Sequence, residues 1–182
     1  GCGQTQHIEF DISKSELRFY DVSRERFTIE QGRYTFMAGA SSDDIRLTKT
    51  IEVSGEKIPP RELYKGILAK NYDGKYNTKM KYSKKLEQHY MLGGGLIYNN
   101  CVLGDADSIE IVCGSRVNTG KITVRYGRKT LCEAEPTVDV TEFDTVTAQF
   151  DKDVLAGIDR EKPAVFELSM PEQIYILSFR TY

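Results

Sequence analysis

The stretch 71–100 concentrates side chains that could bind a sugar. Its five tyrosines are interleaved with five amide side chains: Tyr72, Tyr76, Tyr82, Tyr90 and Tyr98, with Asn71, Asn77, Gln88, Asn99 and Asn100. The C–H face of a pyranose packs on an aromatic ring, and amides hydrogen-bond to its hydroxyl groups. We therefore predict a carbohydrate-binding surface that includes Tyr72, Tyr98 and Asn99. The alternative is that these tyrosines cover the core or line a contact between domains.

No residue set in the chain suits a catalytic cycle. The two histidines, His7 and His89, have neither metal-ligand spacing nor a serine and an aspartate placed for a triad. No spacing marks two carboxylates as a glycosidase pair. The glycines at 93–95 lack the lysine and helix of a phosphate loop and indicate a turn. We expect an accessory or binding protein with no catalytic residues, no cofactor and no metal site.

A basic run lies within the same tyrosine-rich stretch. It contains Lys75, Lys79, Lys81, Lys84 and Lys85. Lysines with interleaved aromatic residues could suit single-stranded nucleic acid. However, the formal net charge of the chain is −2, and it contains no nucleic-acid-binding motif. We therefore interpret the run as a solvated loop and expect no nucleic-acid partner.

Four cysteines bear on the compartment: Cys2, Cys101, Cys113 and Cys132. None is part of a CxxC pair, and the last three lie in or beside apolar runs, which favours buried free thiols over the alternative of a disulfide. Free thiols slightly favour the cytoplasm. Cys2 has a second interpretation, as the lipid-bearing residue of a bacterial surface protein, and secretion also stays open. No apolar run is long enough to span a membrane.

Short runs that alternate apolar and polar residues recur along the chain and predict β-strands. Within 44–53, every second residue is apolar apart from Lys49. Gly55 and the pair Pro59–Pro60 interrupt this pattern and predict a linker. Strand signals resume after residue 95 and are separated by turn residues. The pattern predicts an all-β protein.

The first part of the chain resembles a known domain. The matching segments, in order, are 3–10 (GQTQHIEF), 17–21 (LRFYD), 27–34 (FTIEQGRY) and 39–45 (GASSDDI). Residues 3–55 thus resemble the second half of the fibronectin type III-like domain that ends family 3 glycoside hydrolases, the β-glucosidase family. This resemblance implies upstream catalytic domains in the same polypeptide, and the catalytic carboxylates of the family lie in those domains.

The second part resembles family 6 carbohydrate-binding modules, which are jelly rolls. The matching segments are 67–72 (ILAKNY), 93–100 (GGGLIYNN), 109–113 (IEIVC), 120–124 (GKITV), 141–143 (TEF) and 174–179 (IYILSF). The resemblance places Tyr90 and Phe143 near the two positions that sandwich a sugar ring. Lys70 stands where members usually carry a glutamate that helps to hold calcium.

These observations predict a partial fibronectin type III-like sandwich at 1–55, a linker at 56–65 and a jelly-roll β-sandwich at 66–182. The predicted function is that of a non-catalytic C-terminal region of a β-glucosidase-type glycoside hydrolase, which supports the parent enzyme and binds an oligo- or polysaccharide. Two alternatives remain: a purely structural sandwich, and a lipid-anchored surface protein that binds no sugar.

Overall fold

The computed structural model of the chain describes residue 3 and residues 7–116, 120–136 and 142–182, and it confirms the all-β prediction. Its strands are β1 (Phe19–Asp21), β2 (Arg26–Thr28), β3 (Gly32–Ser41), β4 (Asp44–Val53), β5 (Arg61–Glu62), β6 (Ile67–Leu68), β7 (Gly74–Tyr76), β8 (Lys79–Ser83), β9 (Gln88–Val102), β10 (Ser108–Ser115), β11 (Ile122–Tyr126), β12 (Lys129–Ala134), β13 (Asp144–Gln149) and β14 (Ala164–Thr181). Helix α1 (Lys152–Ala156) and two 3-10 turns, Lys14–Leu17 and Leu63–Lys65, complete the elements.

The chain divides into two compact units, unit 1 (Gly1–Pro59) and unit 2 (Pro60–Tyr182). The division falls inside the segment 56–65 that the sequence predicts as a linker. Each end of that segment nevertheless makes contacts with its own unit. Glu56 pairs with Glu30 in unit 1, and the side chain of Leu63 is fully buried in unit 2.

Unit 1 consists of two antiparallel hairpins, β1–β2 and β3–β4. Alternation along β4 places Ile45, Leu47 and Ile51 on one face of the second hairpin, as predicted, and all three are exposed. Val53 is the only hydrophobic side chain that this unit buries among its described residues. An apolar sheet face normally packs against a second layer. Among the described residues of unit 1, no second layer covers this face.

A charge cluster joins the β1–β2 hairpin of unit 1 to the segment after β4. Arg24 donates through Nε to Asp21 Oδ2 at 2.6 Å and through Nη1 to Glu56 Oε2 at 2.9 Å. Arg26 also pairs with Glu56. Burial of Asp21 would raise its pKa, but the bonds from Arg24 and from the Ser23 N–H outweigh burial and lower the pKa.

Unit 2 is organised by two long strands, β9 and β14, which pair with each other. The first half of β14 pairs with β11, and its second half pairs with β10 and β6. The register of β9 against β14 shifts between Met170 and Tyr175, which span the turn residue Pro171. Each long strand therefore contributes to both layers of the sandwich.

The two halves of β14 meet in the core of unit 2. The rings of Phe166 and Phe179 stack with centroids 5.2 Å apart and planes 16° apart. Both rings are buried, together with Leu168, Ile174 and Ile176. Contact between residues from opposite ends of one strand shows that the layers face each other across a shared apolar core.

The cysteines of unit 2 are free, as predicted. Cys101 and Cys113 are buried and Cys132 is half-buried. Burial raises the pKa of the Cys101 and Cys113 thiols to about 12 and that of Cys132 to about 11. These thiols pack as small hydrophobic groups and are poor nucleophiles. Cys2 lies outside the described residues.

Candidate functional site

The β8–β9 hairpin positions Tyr90. Lys81 lies directly opposite Tyr90, and Tyr82 lies opposite His89 with ring centroids 5.1 Å apart. Opposed residues of an antiparallel pair project from the same face. Tyr90 and Lys81 therefore project from one face of the hairpin, while Tyr82 and His89 project from the other.

Three aromatic rings meet on the Tyr90 face, and we call them the aromatic cluster. Tyr90 lies 5.5 Å from Phe143 and 5.6 Å from Tyr175, and Phe143 lies 4.9 Å from Tyr175, all measured between ring centroids. Tyr175 lies over Gly114 on the neighbouring strand, where an added Cβ would come within 2.5 Å of its ring. The absence of a side chain at Gly114 makes room for this ring.

The aromatic cluster is accessible at Tyr90 and Phe143, which are half-buried, whereas Tyr175 is buried beneath them. Tyr90 and Phe143 meet at an interplanar angle of 73°. A pyranose held between two parallel rings would need two contacts of about 3.5–4.0 Å, or about 7–8 Å between the ring planes. The described arrangement has no such gap. The cluster instead offers a surface on which a sugar ring could stack against the exposed side of Tyr90 or Phe143.

Backbone and side-chain contacts hold Phe143 in this cluster through its neighbour Glu142. The Tyr175 hydroxyl donates to the backbone oxygen of Glu142 at 3.1 Å. The Glu142 carboxylate pairs with Lys85, which follows β8. The β8–β9 hairpin and the final strand thus both contact the segment that carries Phe143.

Tyr98 is a core residue, so its proposed role in sugar binding is corrected. It is fully buried, its ring lies 5.0 Å from that of Phe179, and its hydroxyl donates to the Ala69 carbonyl at 2.9 Å. The Arg61 guanidinium lies 5.7 Å from the ring centroid. Burial raises the pKa of the Tyr98 hydroxyl well above its usual value. No face of this ring is open to a ligand.

Tyr72 and Asn99 each lie next to Asp73, away from Tyr90. The Asn99 N–H donates to Asp73 Oδ2 at 2.6 Å, and Tyr72 precedes Asp73 in the chain. Tyr72 packs against the core, with the Lys75 ammonium 5.6 Å from its ring centroid. Asn99 is nine residues beyond Tyr90 on β9. Of the five predicted site residues, the structure brings only Tyr90 and Phe143 into one cluster.

Sequence reasoning missed Tyr175 as a member of the aromatic cluster. Its neighbours Ile174 and Ile176 point into the core. Period-2 alternation in the last strand therefore places Tyr175 on the opposite face. This signal was available in the sequence, but it does not reveal which strand lies alongside.

A trough of about 750 Å³ is a concave feature of unit 2 that the sequence did not predict. The Tyr76 ring lies over Gly95, and its hydroxyl donates to Glu167 Oε1 at 2.6 Å, which raises the pKa of Tyr76. Arg125 donates to both Glu167 and Ser169. The trough lining includes the apolar residues Met170 and Pro171 and the polar or charged residues Thr78, Lys79, Lys121 and Glu172. The glycines at 94 and 95 allow the 76–78 segment to approach β9 closely.

The described residues contain no group of three or more histidine, cysteine, aspartate or glutamate side chains placed to hold a metal ion. Lys70 is exposed and cannot act as a carboxylate ligand. Across the described ranges, no helix is both long enough and apolar enough to cross a membrane.

Known families and structures resemble both parts of the chain. The fibronectin type III-like domain family matches residues 1–42. The family 6 module CsCBM6-3 of Clostridium stercorarium, solved with cellobiose, is 19% identical with a TM-score of 0.55, over 67% of this chain and 95% of the module. A β-1,3-glucan-binding family 6 module of Bacillus halodurans is 17% identical with a TM-score of 0.56, over 67% of this chain and 98% of the module.

A similar fold also occurs inside a larger enzyme. A family 43 arabinoxylan arabinofuranohydrolase of Bacillus subtilis, solved with cellotetraose, is 11% identical with a TM-score of 0.56, over 80% of this chain and 32% of the enzyme. No curated protein matches the chain. At these identities the structural similarities establish fold. They confirm a β-sandwich of the family 6 module type, and the family match identifies a fibronectin type III-like region at the start of the chain.

Proposed function

We propose that this chain is a non-catalytic accessory region of a glycoside hydrolase and that its unit 2 binds glycan. The observation that carries the proposal is the aromatic cluster, which exposes Tyr90 and Phe143 on the surface of a sandwich with the fold of carbohydrate-binding modules. Aromatic surfaces flanked by polar groups suit the apolar faces and hydroxyl groups of sugars.

The structurally similar proteins support a carbohydrate ligand. One was solved with cellobiose, another with xylose and a third with cellotriose. In this chain the surface would differ from a two-ring sandwich, because Tyr90 and Phe143 touch edge to face. We propose that a sugar stacks against one exposed ring side at this surface. Tyr72 and Asn99, around Asp73, are proposed only as a separate polar contact.

We further propose a β-glucosidase-type parent enzyme. The support is the order of linked motifs across 3–55 and the fibronectin type III-like match at 1–42. In this proposal, the catalytic domains precede the chain in the same polypeptide, and upstream strands cover the apolar face of unit 1. A coding sequence with a catalytic barrel upstream would support the proposal. A lipoprotein signal directly before Cys2 would instead support the surface-protein alternative.

A second sugar contact would help the parent enzyme without adding chemistry. Linked binding sites convert a second binding event into an intramolecular one and raise the effective substrate concentration. The competing function is a purely structural sandwich. The direct contact of Tyr90 with Phe143 favours that alternative, because two aromatic rings that pack against each other already bury part of their apolar surface without a ligand.

Titration of the full chain against a panel of β-linked oligosaccharides separates these functions. We expect weak binding that Tyr90→Ala reduces by about fivefold, since a stacking contact contributes on the order of 1 kcal/mol. Tyr182→Ala is the matched control, because Tyr182 is exposed but lies outside the aromatic cluster. We expect no turnover of aryl-glycosides. If no oligosaccharide of the panel binds, glycan binding is excluded and the purely structural function is supported. Turnover by pure protein would contradict the accessory role.

A further inference from the structure

We propose that the glycan bound at the aromatic cluster is acidic, with carboxylate or sulfate groups that pair with Lys79 and Lys81. This inference rests on the proposed function and names the class of ligand. The aromatic residues alone do not indicate whether the glycan is charged. The inference comes from the register of β8 against β9 and from the lysines that this register places beside the cluster.

Strand β8 brings the two lysines alongside the aromatic cluster. Lys81 lies opposite Tyr90 and Lys79 lies opposite Leu92, so both lysines share the face of Tyr90. Directly opposed side chains have Cβ atoms about 4.5–5.5 Å apart. A charged group on a sugar that stacks at Tyr90 is therefore within reach of the flexible Lys81 side chain.

Both lysines are exposed, and neither has a carboxylate partner within 4.0 Å in the part of the chain that the structure describes. Lys121, by contrast, pairs with Glu133 at 3.3 Å and Glu135 at 3.1 Å. The described arrangement thus leaves the ammonium groups of Lys79 and Lys81 available for an anion.

Three acidic residues flank Phe143 or line the trough, and none pairs with Lys79 or Lys81 within 4.0 Å. Asp144, directly after Phe143, accepts a hydrogen bond from the Thr145 N–H. Glu142, next to Phe143, is already paired with Lys85. Glu172 lines the same trough as Lys79 but forms no ion pair with it. The rim of the aromatic cluster therefore carries two lysines, Lys79 and Lys81, that have no ion-pair partner among the described residues, although the whole chain has a formal net charge of −2.

The two lysines also connect the cluster to the trough. Lys79 lines the trough, and two residues further along β8 Lys81 lies beside Tyr90. Two strand residues span about 7 Å, so an extended acidic glycan could meet both charges in succession. The competing explanation is that lysines on an edge strand only prevent pairing with other chains. That explanation predicts no preference for ligand charge.

The test compares ligands that differ only in charge, titrated calorimetrically into the full chain. One pair is hexagalacturonate and its methyl ester, and the other is sulfated and unsulfated laminarin. We expect at least one acidic member to bind about fivefold or more tightly than its neutral counterpart, with a preference that shrinks as salt rises. The pair that shows the preference identifies carboxylate or sulfate as the recognised group.

Variants then assign the preference to the two lysines. The double variant Lys79→Gln/Lys81→Gln should weaken binding of the acidic member by about three- to tenfold and leave binding of the neutral member unchanged. The charge-matched control is the double variant Lys129→Gln/Lys152→Gln, at exposed lysines of β12 and α1, and it should have no effect.

The outcomes separate this inference from the proposed function. Equal binding of acidic and neutral members, binding of neutral glycans only, or equal losses from Lys79→Gln/Lys81→Gln and Lys129→Gln/Lys152→Gln would overturn the acidic-ligand inference and leave glycan binding intact. Failure of every oligosaccharide to bind, neutral and acidic alike, would overturn both.

Discussion

Apolar and polar residues alternate along the strands of both units, but only in unit 2 are the resulting apolar faces buried. In unit 2 the two layers bury Phe166, Phe179 and their neighbours. In unit 1 the apolar residues of the β3–β4 hairpin remain exposed, and Val53 is the only described hydrophobic side chain that is buried. Alternation specifies a strand with two unlike faces. It does not specify what packs against the apolar one.

We expect the largest difference between the two units when the chain is divided between Pro59 and Pro60 and each part is unfolded separately. Residues 60–182 should unfold cooperatively in urea, with a stability typical of small domains, about 5–15 kcal/mol. Residues 1–59 should show no cooperative transition, because a domain needs a buried core to offset chain entropy. Circular dichroism during urea titration measures both. A sharp transition for 1–59 alone would contradict the contrast between the units.

Two phenylalanine substitutions, one in each unit, compare how much a single side chain contributes to the free energy of unfolding. Phe166→Ala should destabilise unit 2 by about 3–5 kcal/mol, because it removes a fully buried ring and leaves a cavity. Phe27→Ala, at an exposed ring of unit 1, should change the free energy of unfolding by about 1 kcal/mol or less. Chemical denaturation of the full chain provides both values, and similar losses for the two variants would show that unit 1 has more packing than the structure describes.

The glycines of β9 provide a sharper test of packing within unit 2. A Cβ at Gly95 would come within 2.1 Å of the Tyr76 ring, so Gly95→Ala should cost about 1–3 kcal/mol. At Gly74, the nearest atoms to an added Cβ are 3.6 Å away, and Gly74→Ala should be close to neutral. Thermal unfolding of the two variants compares them. A neutral Gly95→Ala would mean that Tyr76 is not held over β9.

The smallest expected effect is the titration of Asp21 in unit 1. Its folded pKa lies below the ordinary value of 3.8, so its contribution to stability is present above that pH and is lost as the pH falls through the folded pKa. Carbon NMR of the side-chain carboxyl should show this low pKa. Arg24→Gln should raise it toward the ordinary value, and an unchanged pKa in that variant would exclude Arg24 as the cause.

The sequence predicts the all-β class and most strands after residue 95. It is wrong about the lysine run, which it treats as a solvated loop although Lys79 and Lys81 lie on strand β8. It also misplaces part of the site, and β9 shows why. Tyr90 and Tyr98 are an even number of residues apart, so simple alternation places them on one face. The backbone has positive φ values at Gly93 (64°) and Gly94 (71°), and beyond these glycines the alternation reverses. Tyr90 therefore faces outward while Tyr98 is buried.

The aromatic cluster illustrates the second limit of sequence reasoning. Tyr90, Phe143 and Tyr175 come from distant parts of the chain, and only strand pairing brings them together. The resemblance to family 6 modules located Tyr90 and Phe143. The register that places Tyr175 beside Gly114 and Leu92 depends on long-range pairing of β14 with β10 and β9, which local periodicity does not encode.

The most direct test of the account is to map glycan binding by NMR on the full chain. Backbone and aromatic signals should be followed during addition of the tightest-binding oligosaccharide of the panel. The account predicts shifts centred on Tyr90, Phe143 and Lys81, with the signals of unit 1 unchanged. Shifts centred elsewhere, or no shifts with any oligosaccharide of the panel, would contradict glycan binding at the aromatic cluster.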